Sequence, residues 1–161
     1  MFEDLLQANR LYAASFSLEG LSPRAAKGLG LVTCIDSRIE PLSALGLKPG
    51  DAKILRNAGG RVTDDVLRSL ALSSGVLGVD TALVMQHTQC VLAGVSDAQL
   101  RELTGADLGF FPIDDHAAAL REDVDLLART RYLDRLRTIA GFVYDVETGQ
   151  LEDVVHWERP G

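Results

Sequence analysis

Cysteine and histidine are scarce in this chain, with two of the first and three of the second among 161 residues. Two cysteines are too few for a disulfide-stapled scaffold, so a hydrophobic core has to hold the fold. The apolar content of 47% is enough to build one. No run of about 18 consecutive apolar residues occurs, which argues against a membrane span. An excess of basic residues is missing too: 16 Lys and Arg stand against 23 Asp and Glu, a formal charge of −7. With no basic stripe, nucleic acid is not an expected partner. The acidity serves solubility. The opening Met1-Phe2-Glu3-Asp4 lacks the basic start and apolar stretch of a secretory signal. A cytoplasmic, reducing location is the expectation, where thiols act as ligands or core rather than as disulfides. A Cys34–Cys90 bridge is the remaining alternative. No internal repeat, low-complexity tract or domain boundary interrupts the sequence, which reads as a single domain over residues 1–161 with residues 1–18 as an N-terminal arm.

Apolar periodicity predicts a helix over residues 2–17, carried by Phe2, Leu5, Leu6, Tyr12, Ala13 and Phe16. The linker Gly20-Leu21-Ser22-Pro23 detaches it, so its face must be buried on its own domain or on a second subunit. From residue 29 the pattern alternates strand and helix: a strand over 29–35, a short helix over 39–45, a strand over 52–56 and a helix over about 63–77. Thr63 can cap that last helix, and Asp64 and Asp65 suit its positive first turn. A third strand covers 81–86 and ends at His87. Residues 95–113 suggest a short helix near 97–103 and then a loop. Asp114 or Asp115 starts a helix through about 129, with Ala117, Leu120, Val124 and Leu127 inward. A strand over 139–145, a Glu147-Thr148-Gly149-Gln150 turn and an edge strand over 151–156 complete the chain. Near-continuous apolar strands alternating with helices indicate an α/β fold with a mainly parallel central sheet flanked by helices, plus a C-terminal edge strand.

Open parallel sheets bind ligands at the carboxyl ends of their strands. Cys34 and Asp36 close the first strand, Asn57 to Gly60 the second, and His87 with Cys90 the third. The strand period of two sends Cys34 and Asp36 to one side, with Arg38 following. Two thiolates and an imidazole form a ligand set that suits zinc with its fourth position open. The plainer reading, that both cysteines are small buried hydrophobes, does not explain why all the unusual chemistry meets at one sheet edge.

Cys34-x-Asp36-Ser37-Arg38, then Arg56-Asn57-Ala58-Gly59-Gly60, then His87-Thr88-x-Cys90 resemble the motifs of β-class carbonic anhydrases in order and spacing. The similarity runs from residue 2 to about 155 and includes Val62 to Ala71 and the closing Gly141-Phe142-Val143-Tyr144-Asp145. The resemblance implies that Cys34, His87 and Cys90 bind Zn2+, with water or, in a closed form, Asp36 as fourth ligand. It implies hydration of carbon dioxide (CO2) to bicarbonate, because zinc lowers the pKa of its water toward neutrality. Asp36 and Arg38 would then form the catalytic pair, with Arg38 keeping the carboxylate off the metal. Gly59 and Gly60 would let substrate approach the backbone closely, or simply form a strand-to-helix turn. A homodimer or homotetramer is implied as well, with Tyr12 and Phe16 able to line a neighbouring subunit's pocket. Two departures stand out: Val91 follows the second cysteine where the family usually has Gly, and Leu31-Val32-Thr33 precedes the first cysteine where one regulated subgroup carries Trp. The only tryptophan here is Trp157. Hydrolysis of carbonyl sulfide or carbon disulfide is the alternative activity, and a zinc-binding module without turnover the alternative of another class. His116 is expected on a helix surface and His156 on a solvated edge.

Overall fold

In the computed structural model, which describes residues 1–161, five segments pair into one sheet. They are β1 (Leu29–Cys34), β2 (Ala52–Asn57), β3 (Thr81–His87), β4 (Thr138–Tyr144) and β5 (Leu151–Glu158). Their order across the sheet is β2-β1-β3-β4-β5. The first four run parallel, and β5 adds antiparallel at the edge after the Asp145–Gly149 turn. The central position of β1 explains its composition, for five of its six residues are buried and only an apolar run tolerates cover on both faces. β5 has no buried residue and mixes exposed with half-buried positions, as an edge strand does.

The helices are α1 (Phe2–Ala14), α2 (Pro41–Ala44), α3 (Asp64–Gly75), α4 (Asp97–Thr104) and α5 (His116–Arg129). Cover on one face of the sheet comes from Val66, Leu67 and Leu70 of α3 with Leu120, Val124 and Leu127 of α5, packed on Val32, Val84 and Ile139. A second apolar cluster, Leu31, Met85, Leu92, Leu100 and Ile113, gathers around the two cysteines. α4 begins with a full capping box, Ser96 accepting from Gln99 N while the Gln99 side chain accepts from Ser96 N. Asp115 caps α5 by accepting from Ala118 N at 2.7 Å.

Several sequence expectations shift. α1 stops at Ala14 rather than at residue 17, and α2 is only four residues long, starting at Pro41, whose fixed φ suits a first helical position. Thr63 occupies the N-cap position of α3 without capping it; its hydroxyl instead lies 3.4 Å from Asn57 Nδ2. In α5 the buried residues are Ala119 and Asp123 beside Leu120, Val124 and Leu127, and Ala117 is only half-buried. α1 buries no residue at all: Phe2, Leu5, Leu6, Tyr12 and Phe16 are each at least half exposed.

Asp123 is the polar exception in this core. It accepts from Arg61 Nε at 2.8 Å and from Val62 N at 3.2 Å, and both side chains of the pair are almost fully buried. Burial raises the pKa of Asp123, opposed by the Arg61 guanidinium. Arg61 Nη1 also donates to the carbonyls of Phe111 and Pro112, so one guanidinium ties the 105–113 loop to α5. Asp123→Ala would leave the buried Arg61 with only the exposed Glu122 carboxylate, 3.4 Å from Nη2, at a cost of about 3 kcal/mol. Urea unfolding should show that loss, and the double change Asp123→Leu with Arg61→Met should recover most of it.

Candidate metal centre

β1 and β3 are neighbours in register, so their carboxyl ends deliver Cys34 and His87 side by side. Cys90 follows three residues after His87, on a turn in which Gln89 takes a positive φ of 56°. The two Sγ atoms and a ring nitrogen all lie within 4.8 Å of one another. Tetrahedral zinc with bonds near 2.0–2.3 Å would set such ligand atoms about 3.5–3.8 Å apart. Both cysteines are free and buried, and the Cys34–Cys90 disulfide considered from sequence is not formed.

His87 supplies the most direct test of fit. Its ring is fully buried and its Nδ1–H donates to the Thr88 carbonyl at 2.8 Å, which fixes the tautomer. Nε2 is then a lone pair facing the sulfurs, and it has no hydrogen-bond partner. A buried imidazole nitrogen without a partner is costly unless a metal takes it. The sulfurs are prepared in the same sense. The adjoining Cys90 thiol holds the Cys34 pKa well below the usual thiol value, against burial that raises it, with further help from His87 and backbone N–H groups. The same neighbour raises Cys90, as burial does. Burial disfavours a charged His87, yet the neighbouring Cys34 thiolate leaves its pKa raised. Two adjacent thiol groups competing for one proton form a site that a divalent cation relieves. The residues fit zinc.

Asp36 and Arg38 stand beside this group. Arg38 Nε donates to Asp36 Oδ1 at 2.9 Å and Nη2 to Oδ2 at 2.8 Å, a two-bond fork, while Arg38 N closes a turn onto Oδ1 at 2.9 Å. These bonds hold the Asp36 carboxyl far below the usual carboxylate range, and Asp36 in turn raises the pKa of Arg38. Asp36 Oδ2 lies 3.9 Å from His87 Nε2, turned to Arg38 and adjoining the three ligand residues.

A cavity of about 330 Å³ opens over the cysteines and Asp36, walled by Ile35, Ala58, Val91, Leu92, Leu100 and Phe110. Gly59 lines it with φ 76°, where a Cβ would fall 2.7 Å from Leu92 Cδ1. Gly60 does not line it; a Cβ there would meet the backbone of Thr33, Cys34 and Met85 at 3.0–3.1 Å. Gly60 therefore lets the turn after β2 pack against the end of β1, and of the two glycines only Gly59 adjoins the cavity.

Three contributors escaped the sequence reading. Arg56 donates to the carbonyls of Cys34, Asp36 and Ile39, so it shapes the whole ligand loop. Gln89 accepts from Arg38 Nη1 at 3.0 Å and donates to Glu147 at 2.8 Å, which braces the fork. Phe110 forms part of the cavity wall from a loop with no regular structure. Only Arg56 carries a local signal, an arginine at a strand end one residue before a glycine-containing turn. His116 also departs from expectation: it is half-buried, with Nδ1 2.8 Å from Oε1 of the buried Gln86. His156 lies on the exposed edge strand, paired to Asp153 at 2.8 Å.

Comparison with known proteins adds a second line. A family described as "Carbonic anhydrase" matches residues 30–110. β-Carbonic anhydrase 1 of Mycobacterium bovis is 32% identical over 159 residues, covering 94% of this chain and 96% of that protein. The carbon disulfide hydrolase of Saccharolobus solfataricus is 30% identical over 172 residues, covering 83% of each. Among solved structures, a carbonic anhydrase from Streptococcus mutans superposes with a TM-score of 0.86 at 37% identity, over 96% of this chain and 97% of that one.

One zinc per chain is expected by elemental analysis of the purified protein. Cys34→Ser or His87→Ala should remove most of it, and full occupancy in either variant would refute the ligand assignment.

Proposed function

The chain belongs to the β-class carbonic anhydrase family, and on that premise we propose that it catalyses the reversible hydration of carbon dioxide to bicarbonate and a proton. The observation that carries the reading is a buried Cys34-His87-Cys90 group beside a carboxylate forked to an arginine. Zinc held by Cys34, His87 and Cys90 supplies a Lewis acid that brings the pKa of a water in its open position near neutrality. A purely structural zinc site would have no use for Asp36 and Arg38.

Each residue then has a defined part. Asp36 stays ionised across the neutral range because Arg38 holds both its oxygens. Its remaining lone pairs accept a hydrogen bond from the attacking water and orient it. Arg38 acts through Asp36, drawing the carboxylate away from the metal position it would otherwise take in a closed form. Gln89 limits the motion of Arg38. The apolar wall of Ile35, Ala58, Val91, Leu92 and Phe110 leaves little to solvate a charged ligand, and it accepts a small, uncharged, linear molecule beside Gly59.

Carbon disulfide and carbonyl sulfide share that linear, electrophilic form, and the same wall accepts them. Side-by-side assays decide among the three. Carbon dioxide hydration by the zinc-loaded protein is expected, whereas hydrolysis of carbon disulfide without it would overturn the assignment. Arg38→Ala should lose about 10–100-fold in activity with zinc content retained, as outer partners of metal sites typically do.

The chain acts as one catalytic unit with α1 as an arm onto a second copy, giving a homodimer or homotetramer. α1 supports this because six large apolar or aromatic side chains, Leu11 among them, lie on it and just past its end at least half exposed. A cytoplasmic setting accords with two free thiols serving as ligands. Light scattering should give at least a dimer for the intact chain and a smaller species for a chain lacking residues 1–18.

A further inference from the structure

At the end of the sheet opposite the metal centre, a cleft of about 620 Å³ is lined by Asp80, Asp134, Arg135, Arg137 and Arg159. Asp80 and Arg137 immediately precede β3 and β4, so the seven residues of β3 separate this cleft from His87 by roughly 20 Å. In a chain of net charge −7, the cleft gathers three guanidinium groups that form no ion pair with any carboxylate. A fourth, that of Arg24, lies against Gly78 on the cleft wall.

The placement of the pair Arg137 and Arg159 is the telling detail. The β4–β5 register sets Thr138 opposite Glu158, and Arg159 N donates to the Arg137 carbonyl at 2.8 Å, so the two arginines face each other across the strands. Like charges directly opposite in an antiparallel pair are unfavourable. Arg159 is nevertheless held in place: Nε donates to the Leu136 carbonyl, Nη2 to that of Leu133, and the guanidinium stacks 5.0 Å from the Trp157 ring. Arg135 is fixed by one bond to the Gly75 carbonyl. Arg137 donates to no protein group through its side chain and keeps all its N–H groups free. Asp80, Asp134 and the closing Pro160-Gly161 also line the cleft beside the three arginines.

We propose that this cleft binds a phosphate-bearing small molecule, with a phosphate group bridging Arg137 and Arg159. Planar guanidinium forks match phosphate oxygens in pairs, and a multivalent oxyanion removes the cross-strand repulsion. The volume exceeds what a lone phosphate needs and falls within the range of small-metabolite sites. Phosphate could come from the free ion or from a nucleotide, and the two are separable.

The test is calorimetric titration of the zinc-loaded protein with inorganic phosphate and, separately, with ADP, at constant ionic strength set with sodium chloride. One equivalent per chain is expected. Equal affinity for both probes assigns recognition to the phosphate group, and tighter binding of ADP assigns a nucleotide-type ligand. Arg137→Ala should weaken binding about tenfold or more, with the unfolding temperature in chloride unchanged because the side chain supports nothing else. Arg38→Ala, at the distant metal centre, should bind as the wild type does. Absence of binding by either probe, undiminished binding in Arg137→Ala, or loss of binding in Arg38→Ala would each overturn the assignment.

Discussion

Two sulfur atoms and an imidazole nitrogen held within 4.8 Å, out of water, are the constraint on which the rest of the site depends. Two thiolates so close repel each other, so their pKa values are pushed apart, Cys34 down and Cys90 up. The surroundings are built to stabilise negative charge at that point. Arg56 stiffens the loop from beneath through three carbonyls, and Arg38 neutralises the one carboxylate that adjoins the sulfurs. Without that fork Asp36 would place an uncompensated negative charge beside the two sulfurs.

The cavity therefore divides by chemistry. One side consists of ligands and the Asp36–Arg38 fork, the other of Ile35, Val91, Leu92, Leu100 and Phe110. Electrostatic effects are strongest where bulk water is excluded, so the apolar wall strengthens the polar side. Part of that wall is positioned at a distance. The loop carrying Phe110 is tied down by Arg61, whose charge is balanced on α5 by Asp123. Asp97 of α4 adds a second tie, accepting from Phe110 N at 2.8 Å.

Much of this was legible in the sequence, for reasons that are local. A strand ending in Cys34, a strand ending in His87 and the period-two spacing of Cys34 and Asp36 are short-range patterns, and parallel topology makes strand ends coincide. β1 read clearly because burial on both faces makes it almost wholly apolar, its one hydroxyl, Thr33, donating to the Met85 carbonyl. What escaped was set by tertiary partners. Asp123 sits in an amphipathic helix where a carboxylate looks like solvent-facing surface, and only the distant Arg61 makes it core. Thr63 looked like a cap because of its type, yet no α3 N–H bonds to it. His116 opens a helix, which suggests exposure, and Gln86 from β3 draws it inward. Gly59 and Gly60 were indistinguishable as letters; their separate roles depend on which atoms lie beyond each Cα.

The order of the strands has a consequence for biosynthesis. Cys34 and His87 end neighbouring strands and Cys90 lies on the turn after β3, but β2 and α3 are translated between residue 34 and the other two. A nascent chain that has emerged only through β2 offers one sulfur and no imidazole partner, so it has no cage to close around a cation. Metal capture has to wait until β3 has slotted in beside β1 and displaced water from that side of it, leaving β2 on the other. A zinc ion would then enter a site that sheet pairing assembles, unlike the ions that small metal-folded domains need to fold at all. A chain halted before residue 90 would leave Cys34 without the neighbour that does most to lower its pKa, and so with a less reactive thiol.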